Sequence, residues 1–255
     1  MWGQTKLKYF DAYLAAQTSP KPPQGELAGA VLYGPGAAAC RDALANSPES
    51  PGNIWRCAGK LEHVVGAEDS RYPHADIVDL HLSDVELIER LKDAGTGDPR
   101  KPCPKWWPLL SAIARQKRFL RIEMPPGTPA AKGVRVLALQ FPQTRFILDV
   151  FTHGLTGGWQ AQVRLAECKN VWVTTRGLYP GSTAAVVGSE ALDDAIYFVG
   201  GEVGASKLLF ASGLNVANLP LAPSPAEWLA GIETLDDAQR ELILHVNAEE
   251  IFSGG

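Results

Sequence analysis

Two carboxylates, Glu123 and Asp149, stand at or near the ends of apolar runs that are typical of buried β-strands, FLRIE and RFILD. When two carboxyl groups lie close together, charge repulsion raises one pKa, and the pair can then act as general acid and general base. The competing interpretation is structural, since Glu123 could instead form a salt bridge with Arg121, Arg145 or Arg176. The sequence leaves both interpretations open.

Two histidines and an arginine extend this set of candidates. His81, in IVDLHLSD, and His153, in FTHG, follow strand-like runs, and imidazole changes charge near neutral pH. Arg176, at the end of NVWVTTRG, can bind a carboxylate or phosphate through its planar guanidinium, with Thr174 or Thr175 adding hydroxyl donors. The structural alternatives are a hydrogen-bonded neutral imidazole for each histidine and an ion pair for Arg176.

Tyr13 and Ser212 are weaker candidates for contact with a ligand. Each carries a hydroxyl group near the end of a predicted strand, in YFDAYLA and KLLFASGLN. The hydrolase pattern GxSxG is absent, and Ser212 has no histidine close to it in the sequence. We therefore expect Ser212 to contact a ligand and not to act as a nucleophile.

The composition excludes several classes of partner. The 255 residues carry a net charge of -4 with scattered lysines and arginines, so no nucleic-acid partner is expected. No window holds about 20 consecutive apolar residues, and the first residues lack the apolar stretch of a signal peptide. We expect a cytoplasmic protein without membrane contact. The four cysteines are widely spaced without a CxxC pair, which predicts reduced thiols.

The candidate residues require a scaffold that brings strand ends together. Eight strand-like runs alternate with segments of helical periodicity, and several runs are continuously apolar, as in parallel sheets. The predicted strands are Lys8–Leu14, Leu27–Tyr33, Ile54–Leu61, Ile77–Leu82, Phe119–Met124, Arg145–Phe151, Asn170–Thr175 and Lys207–Ala211, and the predicted helices cover residues 36–47, 84–95, 106–116, 130–141, 158–169 and 193–204. This order predicts an α/β fold, a single (β/α)8 barrel domain over residues 1–255, whose functional groups lie at the carboxyl ends of the strands.

Five segments, taken in order, resemble one known family. They are CPKWWPLLSAIARQKRFLRIEMP, FPQTRFILDVF, LAECKNVWVTTRGL, KLLFASG and RELILHVNAEEIF, the last of which is similar to the family's C-terminal helix with its Asn-Ala pair. Together they resemble the amidohydrolase-related family called amidohydrolase 2, whose members include metal-dependent decarboxylases and lactone hydrolases. The resemblance implies a (β/α)8 barrel, and it makes a homodimer the expected assembly.

The resemblance also implies a metal site that this sequence does not reproduce. The family's His-x-His pair on the first strand falls on Tyr13 and Ala15, and its histidine on a middle strand falls on Val150. The family's Gly-Ser-Asp on the last strand becomes Ala211, Ser212 and Gly213. Alanine, valine and glycine side chains offer no donor atoms, so we expect no metal and no other cofactor.

Two hypotheses of function follow from these observations. In the first, the protein is a non-catalytic relative that binds a small organic acid or a partner protein, with Arg176, His81 and Glu123 lining the mouth of the barrel. In the second, it remains a hydrolase or decarboxylase that acts on a small carboxylate or lactone. Its site would then be metal-free or rebuilt around His81, Glu123, Asp149 and His153.

Overall fold

The computed structural model describes residues 9–15, 27–33, 54–60, 75–81, 119–180, 189–215 and 224–253, with the first four ranges described at the level of the strand backbone. The strands are β1 Tyr9–Ala15, β2 Leu27–Tyr33, β3 Ile54–Lys60, β4 Ala75–His81, β5 Phe119–Glu123, β6 Arg145–Asp149, β7 Val171–Thr174, β8 Leu208–Leu209 and β9 Leu214–Asn215. All eight predicted strands are therefore confirmed to within about two residues at each end. The last predicted strand, Lys207–Ala211, contains β8 but not β9. Four residues, 210–213, separate β8 from β9.

The strands form one parallel sheet in the order β8-β7-β6-β5-β4-β3-β2-β1-β9. The two edge strands belong to one short stretch of chain, because only residues 210–213 separate β8 from β9. An extended chain of that length spans at most about 17 Å, so the two edges of the sheet must lie close to each other. The sheet therefore curls into the predicted TIM-type barrel, and the segment Leu208–Asn215 contacts both β7 and β1.

Helices follow the strands as the periodicity predicts. They are α1 Pro129–Gln140, α2 Trp159–Val163 with a 3-10 turn Arg164–Glu167, α3 Ser189–Glu202 with a 3-10 turn Ala205–Lys207, α4 Pro225–Ala230, α5 Asp237–Glu241 and α6 Asn247–Ser253, with a π-helical turn Leu242–Val246 between the last two. The predicted helices over 130–141, 158–169 and 193–204 are confirmed, and those over 36–47, 84–95 and 106–116 lie outside the described residues. Across the described ranges, no helix has both the length and the apolar character needed to cross a bilayer.

The two faces of the sheet contact different apolar clusters, because successive side chains of a strand point to opposite sides. One face packs on the helices, and its strand members are Leu120, Ile122, Phe146, Leu148, Val171, Val173 and Leu208, with Phe210 directly after β8. The other face lies inside the barrel, where Phe119, Ile147 and Leu209 pack with Ile251 and Phe252 of α6. Phe119 begins β5, so α6 fills the amino-terminal end of the barrel, and the opposite end is left for the candidate site.

Asn247 attaches this C-terminal helix to the last strand. Its side-chain amide is buried and donates hydrogen bonds to the carbonyl oxygens of Ala205 and Leu208, each at 2.8 Å. These carbonyls flank the 3-10 turn that leads into β8, so Asn247 fixes where the strand begins. The Asn-Ala pair noted in the sequence thus has a structural role here, with Ala248 packed against the inner cluster.

Candidate ligand site at the carboxyl edge of the barrel

Three of the predicted site residues lie side by side at the carboxyl edge of the sheet. The register of β4 and β5 pairs His81 with Glu123, and that of β5 and β6 pairs Glu123 with Asp149. Because the strands are parallel, these residues end their strands at the same height. Only the backbone of His81 is described, so its place in this row follows from the register alone.

Asp149 is completely buried, and its side-chain carboxylate receives four hydrogen bonds. Arg121 donates two of them, from Nε to Oδ2 at 2.7 Å and from Nη2 to Oδ1 at 2.5 Å. The Thr174 hydroxyl donates to Oδ1 at 2.6 Å, and Arg176 Nη1 donates to Oδ2 at 2.9 Å. Such a set of donors holds the carboxylate in one position inside the barrel and balances its charge.

These contacts determine the charge of Asp149. Burial alone would raise its pKa, but the positive charges of Arg121 and Arg176, with hydrogen bonds from Arg121 and Thr174, outweigh burial and hold the pKa below its ordinary value of 3.8. Asp149 is therefore ionised at neutral pH. In this state it can accept hydrogen bonds and neutralise cations, but it has no proton to donate as a general acid.

The lowered pKa predicts how stability changes in acid. The unfolded chain takes up a proton on this carboxyl at about pH 4, before the folded chain does, so acid shifts the equilibrium toward unfolding. The contribution of Asp149 is fully present above that pH and is lost as pH falls through the lower folded value. Urea unfolding measured at several pH values between about 2 and 5 checks this. The E123Q variant, which keeps Asp149, should retain the acid-dependent loss, and an unchanged midpoint across this range would contradict the prediction.

Arg176 links the buried carboxylate to a more exposed one. Its Nη1 lies 2.9 Å from Asp149 Oδ2 and 3.0 Å from Glu123 Oε2. The exposed fraction of the side chain is 12% for Arg176 and 24% for Glu123, so solvent reaches this end of the network. Two carboxylates and two guanidinium groups therefore meet at the carboxyl edge with balanced formal charge. Glu123 thus forms a salt bridge with Arg176, one of the three arginines considered, and its role in acid–base chemistry stays a prediction.

His153 lies at the solvent side of this network. Its Nε2 is 3.9 Å from Glu123 Oε1, and 45% of its side chain is exposed. Arg145, by contrast, donates to the backbone oxygen of Ile251 at the opposite end of the barrel and lies over the Phe119 ring. Glu123, Asp149, Arg176 and His153 thus come together as a group, and Arg145 is not part of it.

The loops that carry these side chains are held by contacts that the sequence did not indicate. Buried Gln162 of α2 donates to the carbonyl oxygens of Pro125 and Gly127, at 2.7 and 2.8 Å, and so fixes the loop after Glu123. Gly177, which follows Arg176, has φ +96°, and a Cβ there would lie 2.2 Å from the backbone oxygen of Phe151. The loops after β6 and β7 therefore touch through backbone. Neither contact has a signal in the local sequence, because each depends on which loops the fold brings together.

The structure gives less information about Ser212 and Tyr13, the two residues that were predicted to contact a ligand through a hydroxyl group. Ser212 is fully buried, and its hydroxyl accepts a hydrogen bond from the Leu214 amide at 3.0 Å, next to Gly213 with φ +65°. Its oxygen thus supports the turn between β8 and β9. The side chain of Tyr13 lies outside the described part of the structure. Their predicted contacts with a ligand remain predictions.

The described residues do not fit the divalent ion that the resemblance implies. Val150 is buried in the large apolar cluster, and Ala211 lies in the inner cluster, so neither position offers a donor. The carboxylates of Glu123 and Asp149 already contact guanidinium groups. Within the ranges described here, no group of three or more His, Cys, Asp or Glu side chains is arranged to hold a metal ion.

Comparison with known families places the chain in a defined class. The family model Amidohydro_2, described as amidohydrolase, matches residues 61–254. The match covers most of the chain, which therefore belongs to the amidohydrolase family. No curated protein matches it in sequence.

Solved structures share the fold at low sequence identity. Amidohydrolase 2 from Bifidobacterium longum subsp. infantis is 15% identical with a TM-score of 0.61, and 97% of this chain and 99% of that chain are covered. An amidohydrolase from Burkholderia multivorans with bound zinc is 14% identical with a TM-score of 0.62, covering 96% and 99%. A dihydroxybenzoic acid decarboxylase from Polaromonas sp. JS666, with bound manganese and the inhibitor 2-nitroresorcinol, is 12% identical with a TM-score of 0.54, covering 97% of both chains. One of these three neighbours is thus a decarboxylase named for a small aromatic acid, and two of the three were solved with a metal ion.

Proposed function

We propose that this amidohydrolase-family barrel binds a small organic acid at the carboxyl edge of its sheet, and that Arg176 recognises the carboxylate. One observation carries the proposal: the Arg176 guanidinium sits between buried Asp149 and partly exposed Glu123. A guanidinium has five N–H donors in a planar fork that matches a carboxylate. The decarboxylase among the neighbours is named for a small aromatic acid, which supports the same chemical class for this chain.

Asp149 holds Arg176 in a position from which it can bind the carboxylate of a ligand. The buried carboxylate fixes one side of the guanidinium, so little side-chain freedom is lost when a ligand binds. Glu123 contacts the same Nη1 from the more exposed side, where it resembles the carboxylate of a ligand. An incoming acid would compete with Glu123 for Arg176, and His153 beside Glu123 offers a second nitrogen to a ligand once protonated.

This competition gives a direct test at Glu123. In the E123Q variant a neutral amide replaces the competing carboxylate, so affinity for an organic acid should rise by about two- to fivefold, the size expected for a partly exposed ion pair. The R176Q variant should weaken binding by at least about tenfold because it removes a charge-assisted contact. Isothermal titration calorimetry with acetate, benzoate and succinate measures both.

The control is E167Q, which removes a carboxylate from the exposed pair of Arg135 and Glu167 elsewhere on the surface. It should leave the affinity unchanged. The proposed function is wrong if the wild type binds none of the acids, or if R176Q binds them with the same affinity as the wild type.

A second function is favoured by one specific contact, the 3.9 Å between His153 Nε2 and Glu123 Oε1. A carboxylate beside an imidazole can move a proton to or from a substrate, and His81 ends its strand next to Glu123. The chain would then be a hydrolase of a small carboxylate or lactone without a metal ion. In that case E123Q and H153N would abolish lactone hydrolysis, whereas in the first function no turnover is present to lose.

A further inference from the structure

The hydroxyl group of Thr174 connects Asp149 with the backbone of Arg176. Thr174 ends β7 and is fully buried. Its Oγ1 donates a hydrogen bond to Asp149 Oδ1 at 2.6 Å and accepts one from the backbone amide of Arg176 at 3.3 Å. A hydroxyl group has a single proton to donate. The proton that the sequence offered to a ligand is therefore directed at Asp149.

These contacts hold Arg176 at both ends of its side chain. Its backbone amide is bound through Thr174 to one oxygen of Asp149, and its guanidinium Nη1 contacts the other oxygen, Oδ2, at 2.9 Å. Arg121 fixes the carboxylate itself with two hydrogen bonds, so Thr174 ties the Arg176 backbone to a group that is already in place. A side chain held at both ends loses little conformational freedom when a ligand binds to it.

We propose that Thr174 is a positioning residue for acid binding, because its hydroxyl sets the backbone of Arg176 where the guanidinium meets both Asp149 and the ligand. Thr174 acts through these two residues and does not itself contact the ligand. The inference rests on the proposed function, in which Arg176 binds the carboxylate, and adds the residue that fixes this arginine before the acid arrives.

The next residue, Thr175, provides a matched control. It is equally buried, and its hydroxyl also forms two hydrogen bonds, accepting one from the Ala211 amide at 2.9 Å and donating one to the Ala211 carbonyl oxygen at 3.2 Å. These bonds join the end of β7 to the segment after β8, and Ala211 is not part of the network around Arg176. Thr175→Val therefore removes a hydroxyl of the same kind and burial without releasing Arg176.

The test titrates the full-length variants T174V, T174S and T175V with benzoate and with succinate by isothermal titration calorimetry. T174V should bind about three- to tenfold more weakly than the wild type, the change that the loss of one hydrogen bond produces. T174S keeps the hydroxyl and should stay within about twofold of the wild type, as should T175V. The inference is overturned if T174V and T175V lose equal affinity, if T174V keeps the wild-type affinity, or if T174S binds as weakly as T174V.

A crystal structure of ligand-free T174V tests the role of Thr174 without any acid. The distance from Arg176 Nη1 to Asp149 Oδ2 should exceed about 3.5 Å, beyond hydrogen-bonding range, and a guanidinium that stays bound to Asp149 overturns the inference. If the wild type binds no acid, the proposed function fails and this distance alone decides the role of Thr174. Should T174V not fold, T174A replaces it in both measurements, and a T174A variant that matches the wild type overturns the inference.

Discussion

Asp149→Asn is expected to lower the free energy of unfolding by about 3–5 kcal/mol, the usual cost of removing one member of a buried ion pair. The substitution keeps the shape of the side chain but removes the charge that Arg121 and Arg176 share. Arg121 is only 1% exposed, so water cannot replace the lost carboxylate. Urea unfolding followed by near-UV circular dichroism gives the midpoint and slope from which the change is obtained.

Two controls separate this effect from a general sensitivity to charge. E167Q breaks an ion pair whose side chains are about half exposed, and it should change stability by less than about 1 kcal/mol. The double variant R121M/D149L removes both buried charges and should be more stable than D149N, since buried pairs replaced by apolar groups of similar volume are often neutral. A D149N variant as stable as E167Q would show that the buried network does not stabilise the barrel.

Gly177→Ala should destabilise the protein by about 2–5 kcal/mol, which combines strain at positive φ with overpacking against backbone. Gly177 has φ +96°, and the new Cβ would lie 2.2 Å from the Phe151 oxygen and 2.6 Å from its carbonyl carbon. Backbone cannot move aside as a flexible side chain can. The loops after β6 and β7 would separate, and with them His153 and Arg176, so acid affinity should fall together with stability in the same titrations.

Two glycines of the neighbouring loop serve as matched controls. Gly154 also has a positive φ, +73°, but a Cβ there would meet nothing within 4 Å, so G154A measures the backbone strain alone. Gly157 has open space and no positive φ, so G157A should be close to neutral. If G177A costs no more than G154A, the close approach of the two loops is not a source of stability.

The strands could be predicted from the sequence because a strand that is buried on both faces of the sheet needs apolar residues at consecutive positions. RFILDVF and NVWVTT locate β6 and β7 to within two residues, since each contains alternating contributions to the outer and inner clusters. The end of the last strand could not be predicted, because KLLFASGLN is divided by a turn at Ser212 and Gly213. A positive φ at one glycine depends on which edges the segment must join, and the local sequence does not contain that information.

Four of the predicted residues lie together in the structure, Glu123, Asp149, His153 and Arg176, but the sequence did not predict which of their charged groups pair. Strand ends brought Glu123 and Asp149 together as expected, yet three arginines competed as partners. Position along the strand separates Arg145 from the other two arginines. Arg145 begins β6, four residues before Asp149, so its backbone lies about 13 Å from the carboxyl edge. Arg121 shares the inner face with Glu123 but reaches across to Asp149, a contact that depends on register between strands. Register is a property of the whole sheet, so no single segment reveals it.

The segment Leu208–Asn215, which contacts β7 through Leu208–Leu209 and β1 through Leu214–Asn215, has a consequence for how the protein is made. Ribosomes deliver β1 to β7 first, and during that interval the nascent sheet has two open borders whose amides and carbonyls can pair with another chain. One eight-residue stretch pairs with both borders at their carboxyl ends, through two residues on each side. The sheet therefore cannot close before residue 215 is in place, and a chain that stops short of it keeps two strand edges open to pairing with another chain.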